Sequence, residues 1–295
     1  MPRAAVSRLA RLIPACRLRQ YLRSLIGPDA SQMHSIDDPD SAESTFYRSA
    51  LRRLLAEDIP FLVGGAYSLQ VHTGIVRRTK DFDIFMLERD VPAALQALSQ
   101  AGYKTEIAFP HWIAKAFSGE DFLDIIFSSG NGLCPVDELW FQHAATGTVL
   151  GLELQICPAE ESIWQKAFIL ERDRCDVADV AHLIRHCGER LDWQRLVRRF
   201  SDQWRVLLAQ VILFDFIFPG HRDAIPAAIR RDLLRKLEQD AAPAESDECH
   251  GTLLSATQYL RDVDLEGYRD VRLEPDGNMS KEELAAWTAN FMKPK

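Results

Sequence analysis

The amino-acid sequence predicts an α/β fold in which a mixed sheet is followed by a helical domain. As far as about residue 157, short apolar runs bounded by turn residues alternate with amphipathic segments of helical length. Beyond that point the apolar residues keep helical spacing. The 295 residues are 47% hydrophobic and 26% charged, which is typical of a globular protein that holds one sizeable domain or two smaller ones.

The predicted elements of the α/β part follow one another in a clear order. Cap residues and amphipathic spacing indicate a first helix, and a short apolar run, a double glycine and a second helix come next. A strand with two aspartates, a helix with proline in its first turn and three more strands complete the series. In residue numbers these are the helix 41–57, the strand 60–63, the helix 66–72, the strand 81–85, the helix 90–100, and the strands 103–109, 112–117 and 122–127.

Residues 128–132 are a strong loop signal at the end of a predicted strand, a position that lies near ligands in other α/β sheets. A plain solvent turn is an equal alternative. We expect residues 149–156 to form the last strand of this part, and Pro158 to begin the first helix of the next. Further helices are predicted from residue 173, from residue 192, over 204–218 and over 225–237.

We divide the chain into four regions. They are an arginine-rich, polar extension (1–40), an α/β catalytic domain (41–157), a helical domain (158–239), and a linker and C-terminal tail with a short terminal helix (240–295). The first 28 residues carry six arginines and no acid, which is typical of an organelle presequence or a membrane-surface helix. Because Met33 opens an acidic segment just before the first helix, we favour a start there and exclude the extension from the fold prediction.

Composition also narrows the function. The net charge of −8 argues against a large basic surface that grips long nucleic acid, although arginines clustered between residues 172 and 199 leave a local site open. Six cysteines without a Cys-x-x-Cys pair support neither a zinc ribbon nor a redox motif, so we expect a reducing, cytoplasmic location. The apolar run 206–218 is interrupted by Gln210 and Asp215; we interpret it as a buried helix and predict no membrane association.

Two aspartates in one strand are the most informative feature. Strand side chains alternate between faces, so Asp81 and Asp83 point one way while Phe82 and Ile84 point into a core. Two neighbouring carboxylates repel each other unless a cation lies between them, and oxygen ligands of this kind suit magnesium. The pair therefore predicts a divalent metal site.

Asp124 is a single acid in the apolar strand 122–127. A carboxylate inside a β core is costly unless it is paired, hydrogen-bonded or bound to metal. It is therefore either half of a structural ion pair or a third metal ligand and general base. We favour the second interpretation because Asp81 and Asp83 already form a site upstream.

The Gly64-Gly65 turn precedes these acids. Glycine lets the backbone approach a phosphate closely, and the amides of the following helix N-terminus point toward negative charge. Ser68 adds a hydroxyl donor in this prediction. A double glycine alone is weak evidence, and the neighbouring acids make it stronger.

Together, the glycine turn, the Asp-x-Asp pair and the later aspartate resemble the DNA polymerase β-like nucleotidyltransferase superfamily. The spacing Arg77-x-Thr79-x-Asp81-x-Asp83 is similar to that of the minimal nucleotidyltransferases grouped with AbiEii-type toxins. Further matches to that family lie downstream, at Lys166, Arg172, Asp176 and Asp179.

This resemblance implies an enzyme that transfers a nucleoside monophosphate from a magnesium-bound NTP to a hydroxyl and releases pyrophosphate. It implies two metal ions, with Mn²⁺ as the alternative to Mg²⁺, held by the catalytic residues Asp81, Asp83 and Asp124. The implied nucleotide-binding residues are Gly64, Gly65, Ser68, Arg77, Thr79 and Lys166.

The acceptor stays open: a small molecule, a tRNA end or a protein would each fit, and an antitoxin is a further partner that the toxin resemblance implies. A nucleotide-binding or regulatory module without turnover is the alternative function, and a purely structural α/β protein is the third.

Overall fold

The structure is a computed structural model that describes residues 42–77, 79, 81–240, 246–275 and 277–291, with only the backbone of Asn290. The predicted extension 1–40 and its start site lie outside the described residues. The helices are α1 (Ala42–Ala56), α2 (Gly65–Thr73), α3 (Val91–Gln100), α4 (Glu138–Gln142), α5 (Ala159–Lys166), α6 (Val177–Cys187), α7 (Trp193–Phe200), α8 (Trp204–Ile217), α9 (Ala227–Gln239), α10 (Leu260–Glu266) and α11 (Lys281–Phe291). The strands are β1 (Leu62–Val63), β2 (Phe82–Phe85), β3 (Lys104–Phe109), β4 (Ile113–Ser118), β5 (Asp121–Ile126), β6 (Ala145–Val149), β7 (Leu152–Ile156), β8 (Glu248–Cys249) and β9 (Arg269–Asp270).

In the described part of the chain, seven strands form one mixed sheet with the order β3-β4-β5-β2-β1-β7-β6. The pairs β2–β5 and β1–β7 are parallel, whereas β1–β2, β3–β4, β4–β5 and β6–β7 are antiparallel. The mixed α/β fold class is therefore confirmed. The two short strands nearest the middle of this order, β2 and β1, carry the aspartate pair and the glycine turn.

The two faces of the sheet have different partners. Helices α1 and α3 cover one face, where Phe82 and Ile84 pack with Tyr47 and Leu98 in one core cluster. The opposite face carries Phe85, which packs in a second cluster together with residues of α5 to α9. The alternation of β2 thus turns Phe82 and Ile84 toward the first core and places Asp83 and Phe85 on the opposite face.

The predicted last strand 149–156 is confirmed as β7 over Leu152–Ile156, whereas its first residues belong to a hairpin that the sequence analysis did not predict. The chain forms a hairpin there, in which β6 and β7 pair around a turn at Leu150 and Gly151, with φ angles of 51° and 73°. Two successive residues with positive φ suit the tight turn of a two-residue hairpin. Leu150 does not indicate a positive φ in the sequence, so the sequence predicted one continuous strand.

Helix α8 is confirmed, but its predicted near-complete burial is wrong. It contacts α6, α7 and α9 along one side, where Leu207, Val211 and Phe214 are buried. On the other side Ile212 and Phe216 are exposed, the latter by 83%. Within the described residues, none of the helices is both long and apolar enough to cross a membrane.

Residues 246–291 pack against the rest of the protein. Strands β8 and β9 pair in parallel, and the segment buries Leu253, Ala256 and Met279. Its buried Arg272 donates to Asp270 at 2.6 Å and to the Ala256 carbonyl at 3.1 Å. Leu253 and Val271 of this segment belong to the same core cluster as Phe85 and the residues of α5 to α9.

Candidate active site

The chain turns sharply at Gly64 and Gly65, directly after β1. The Gly64 amide donates to the Asp83 carbonyl at 2.9 Å, which ties the turn to β2. Gly65 has a φ of 54°, and a Cβ at this position would collide with the Asp83 carboxylate. Glycine is therefore required at position 65, both for its backbone conformation and for the close approach. Helix α2 begins there, and Gly65 and Ala66 line the same cavity as the acids.

Three carboxylates meet beside this turn. Asp83 on β2 lies directly opposite Asp124 on β5 in the parallel register, and Asp81 precedes Asp83 by two residues on the same face. Among the described residues, Asp81, Asp83 and Asp124 bring one carboxylate oxygen each to within 4.8 Å of one another. The structure thus brings together the three predicted acids.

The pKa values of these acids reflect their crowding. Burial, followed by the charges of Asp81 and Asp124, raises the pKa of Asp83 to about 7, against the opposing charges of Lys166 and Arg174. Burial also raises the pKa of Asp124, although Lys115 lowers it. Like-charged buried groups of this kind are stabilised in the ionised form by a cation. The all-oxygen donor set therefore fits Mg²⁺ or Mn²⁺.

Lys115 is a charged residue at this site that the sequence analysis did not identify. It lies opposite Asp124 in the antiparallel β4–β5 pair, and its Nζ is 2.5 Å from Asp124 Oδ1. A lysine in the middle of an otherwise apolar predicted strand was the available signal, of the same kind as the one that identified Asp124.

A second charged cluster, around Asp176 and Asp179, lies next to the three acids. Lys166, at the end of α5, donates to Asp176 at 2.9 Å and to Asp179 at 2.8 Å. Arg77 is also paired with Asp179, and Arg174 donates to Asp176 at 3.1 Å. Both aspartates are therefore held between several cations. Lys166 and Arg174 are close enough to oppose the charge of Asp83.

The other predicted nucleotide residues occupy different positions. Ser68 is buried and donates to the Cys157 carbonyl at 3.3 Å, outside the cavity wall. Gly64 does not line the cavity either. It lies against the ring of Phe85, which is part of the wall, and a Cβ at Gly64 would collide with that ring. Thr79 lies in the wall and its hydroxyl donates to Asp81. Arg174 lines the cavity, whereas Arg172, which matches the spacing of the family in the sequence, does not.

The three acids and the neighbouring cations Lys166 and Arg174 line a cavity of about 570 Å³. The sheet provides one wall, α5 and the start of α6 a second, and residues 246–291 a third. The predicted loop 128–132 contributes Ser129, Gly130 and Asn131 to the lining. The Asn131 side chain donates to the Leu253 carbonyl at 2.8 Å, which joins the loop to the C-terminal segment.

Aromatic side chains close the cavity on the β4 side. The ring centroids of Trp112 and Trp287 are 5.2 Å apart in an edge-to-face arrangement, and Phe109 lies 5.0 Å from Trp287. Trp287 packs so tightly on Gly130 that a Cβ there would displace it. Because Trp287 is 157 residues from Gly130, sequence patterns gave no sign of this contact.

No family model and no curated protein matches the chain. Several solved structures are similar in shape. One is ANT(2″)-Ia in complex with adenylyl-2″-tobramycin, at 16% identity and a TM-score of 0.41, covering 56% of this chain and 99% of that one. Another is the lincosamide antibiotic adenylyltransferase LnuA, bound to lincomycin, at 18% identity and a TM-score of 0.36, covering 48% and 96%. A third is an antigenic nucleotidyltransferase-like protein from Paracoccidioides brasiliensis, at 12% identity and a TM-score of 0.34, covering 60% and 93%. Similarities this low define neither a family nor an activity for the chain.

Proposed function

We propose that the protein is a nucleotidyltransferase of the polymerase β-like type, which transfers a nucleoside monophosphate from an NTP to a hydroxyl acceptor. The observation that carries this proposal is the meeting of Asp81, Asp83 and Asp124 beside the Gly65 turn at the start of α2. Closely packed carboxylates next to free helix N-terminal amides suit a metal-bound phosphate chain.

The reaction forms a bond between the acceptor oxygen and the α-phosphorus and breaks the bond to the bridging oxygen, so that pyrophosphate leaves with the electron pair. Asp81 and Asp83 would hold a divalent cation, which when bound neutralises phosphate charge. The amides at Gly65 and Ala66 would donate to phosphate oxygens. Asp124, whose raised pKa suits a general base, would accept the proton of the acceptor hydroxyl.

Cations on the helical side would complete the triphosphate site. Arg174 lines the cavity with its side chain 63% exposed, so it can turn toward a ligand. Lys166 and Arg77 are already paired with Asp176 and Asp179, and in this proposal they act mainly by fixing those acids and by their electrostatic field.

The test is transfer of label from α-³²P-labelled NTPs, each supplied with Mg²⁺ and with small-molecule, RNA and protein fractions of a cell extract. We expect one fraction to acquire label, and Asp81→Asn to abolish the transfer. Asp232→Asn is the matched control, because Asp232 pairs only with Arg235 among the described residues, in a bridge exposed on α9. Full transfer by Asp81→Asn would refute the proposal, and the labelled fraction would identify the acceptor class.

One observation favours a second candidate, a nucleotide-binding module without turnover. Lys115 already neutralises Asp124, the proposed base, at 2.5 Å. Such a module would bind NTP in the presence of Mg²⁺ but leave every acceptor fraction unlabelled. The acceptor, the toxin class and an antitoxin partner stay predictions from the sequence resemblance.

A further inference from the structure

Lys115 is held on two sides next to the acidic cluster. Its ammonium contacts Asp124 Oδ1 at 2.5 Å and lies 4.3 Å from the centroid of the Phe122 ring. The side chains of Lys115 and Asp124 are 24% and 10% exposed. The pair is therefore largely shielded from water. An ionic contact is stronger in such a position than at the surface.

The partner of Lys115 distinguishes this pair from an ordinary structural salt bridge. A carboxylate oxygen of Asp124 lies within 4.8 Å of oxygens from both Asp81 and Asp83. The ammonium is therefore attached to the same cluster of negative charge that a divalent cation would neutralise. A second divalent cation at Asp124 would approach the ammonium closely, and like charges repel strongly where water is scarce.

Formal charges lead to the same conclusion. Asp81, Asp83 and Asp124 carry three negative charges when ionised. In the site without nucleotide, one divalent cation and the Lys115 ammonium balance them, whereas two divalent cations and the ammonium exceed them by two charges. The lysine thus already provides part of the positive charge that a second metal would bring.

We propose that Lys115 takes the place of the second cation on the acceptor side, so that the site binds one divalent cation, at Asp81 and Asp83. This inference rests on the proposed function and revises the two-metal site that the sequence resemblance implies. Lys115 is a positioning residue in this role, because it acts through Asp124.

The test counts bound Mn²⁺ from the electron paramagnetic resonance signal of the free ion. The protein is saturated with a non-hydrolysable analogue of the NTP that stabilises it most, and the Mn²⁺ held by the excess analogue that is not bound to protein is subtracted. We expect one Mn²⁺ per chain for the natural protein and for Lys115→Arg, and two for Lys115→Met. Lys115→Gln replaces Lys115→Met if that variant does not fold. Lys104→Met is the matched control, since Lys104 also lies over a phenylalanine ring, that of Phe117, but on exposed β3.

Two Mn²⁺ ions in the natural protein, or one in the folded neutral variant, would overturn the inference and leave the proposed function standing. No Mn²⁺ in any variant would overturn both. The count does not depend on turnover, so it separates the role of Lys115 from the identity of the acceptor.

Discussion

Gly65 determines how closely the main chain approaches the Asp83 carboxylate. Its positive φ and the lack of room for a Cβ are two independent requirements, and both are met at the first residue of α2. The double glycine was visible in the sequence, but its contact with Asp83 was not. That contact depends on the antiparallel pairing of Val63 with Ile84, which joins segments 21 residues apart.

We therefore predict that Gly65→Ala abolishes nucleotidyl transfer, because the new methyl group must displace Asp83 from the cluster. Gly74→Ala is the matched control: Gly74 ends the same helix at a φ of 72°, and among the described residues no atom lies within 4 Å of its Cβ position. It should lose about 1 kcal/mol of stability from backbone strain and keep its activity. Transfer assays and urea unfolding measure the two effects, and an active Gly65→Ala would contradict the assigned contact.

Arg172 and Arg174 show that a resemblance in spacing does not identify which of two nearby arginines lines the site. The sequence placed Arg172 among the matches, whereas the structure puts Arg174 in the cavity wall beside Asp176. Both arginines lie in a short loop whose ends, Leu170 and Cys175, form an antiparallel bridge. The direction of each arginine side chain depends on this irregular backbone. Helical spacing gives no guide to side-chain direction in such a loop.

Arg174→Gln should raise the KM for NTP about tenfold or more, since a hydrogen bond between charged groups contributes about 1.5–3 kcal/mol. The kcat should change less, because Arg174 in this proposal contacts the bound triphosphate and not the acceptor. Arg172→Gln makes the same chemical change two residues away and should leave KM unaltered. Steady-state kinetics over NTP concentration test this pair; equal effects of the two variants would remove Arg174 from the nucleotide site.

At the scale of the elements, strands with alternating or continuous apolar residues were predictable. The predicted strands 103–109, 112–117 and 122–127 each lie within one residue of β3, β4 and β5. Short runs of apolar and aromatic residues between turn residues explain this success; the burial of β3 and β5 does not alternate, and the last four residues of β5 are all buried. The hairpin of β6 and β7 was not predicted, because its turn residue Leu150 has a positive φ, a conformation that leucine rarely adopts.

The C-terminal segment shows what local patterns cannot supply. Its strands β8 and β9 contain two residues each, and much of its stability comes from long-range contacts. Ser255 and the Ala256 amide both donate to Glu171, and the Leu170 amide donates to Leu254 at 3.0 Å. Such contacts leave no periodic signal, so the sequence read as a linker and tail.

A buried ion pair at the centre of this segment predicts a pH dependence. Although burial raises the pKa of Asp270, hydrogen bonds and charge from Arg272 hold it below its usual range overall. A carboxyl group with a lowered folded-state pKa stabilises the fold above its unfolded pKa of about 3.9, and that stabilisation is lost as the pH falls through the folded value. The Asp270 contribution should therefore be complete at pH 7 and decline below about pH 4.

Asp270→Asn should cost about 3–5 kcal/mol at pH 7, because it leaves the buried Arg272 charge without its partner. The difference from the natural protein should narrow below pH 4, where Asp270 becomes protonated in the unfolded chain while it stays ionised in the folded protein down to its lower pKa. Urea unfolding at pH 7 and pH 3.5 measures both values. Asp247→Asn, on the exposed side of the same segment, is the control and should be neutral. A difference that does not change with pH would argue against the ion pair.

At the scale of the whole molecule, the acids and the glycine turn were predictable, and the surroundings of the cavity were not. The Asp-x-Asp strand and Asp124 appear as polar residues in apolar runs, which is a local signal. Arg174 and Trp287 line the same cavity from a loop and from α11, and Lys115 on β4 contacts Asp124 in its wall, so their meeting depends on how distant parts of the chain pack. Patterning along the chain predicts faces of elements, whereas a cavity is defined by the faces of several elements at once.

Because three regions form the cavity wall, nucleotide bound there should stabilise the protein as a whole. A ligand at 100 times its Kd adds about 2.7 kcal/mol to the free energy of unfolding, which for a protein of this size raises Tm by roughly 4–5 °C. We expect this shift with Mg²⁺ and NTP together and little of it with NTP and EDTA, since the acids repel an unscreened triphosphate. Asp83→Asn should lose the Mg²⁺-dependent part, whereas Asp232→Asn should keep it. Thermal unfolding of the natural protein and of both variants, each with Mg²⁺ and NTP and with NTP and EDTA, tests this prediction. An equal shift in EDTA would place the nucleotide away from Asp81, Asp83 and Asp124.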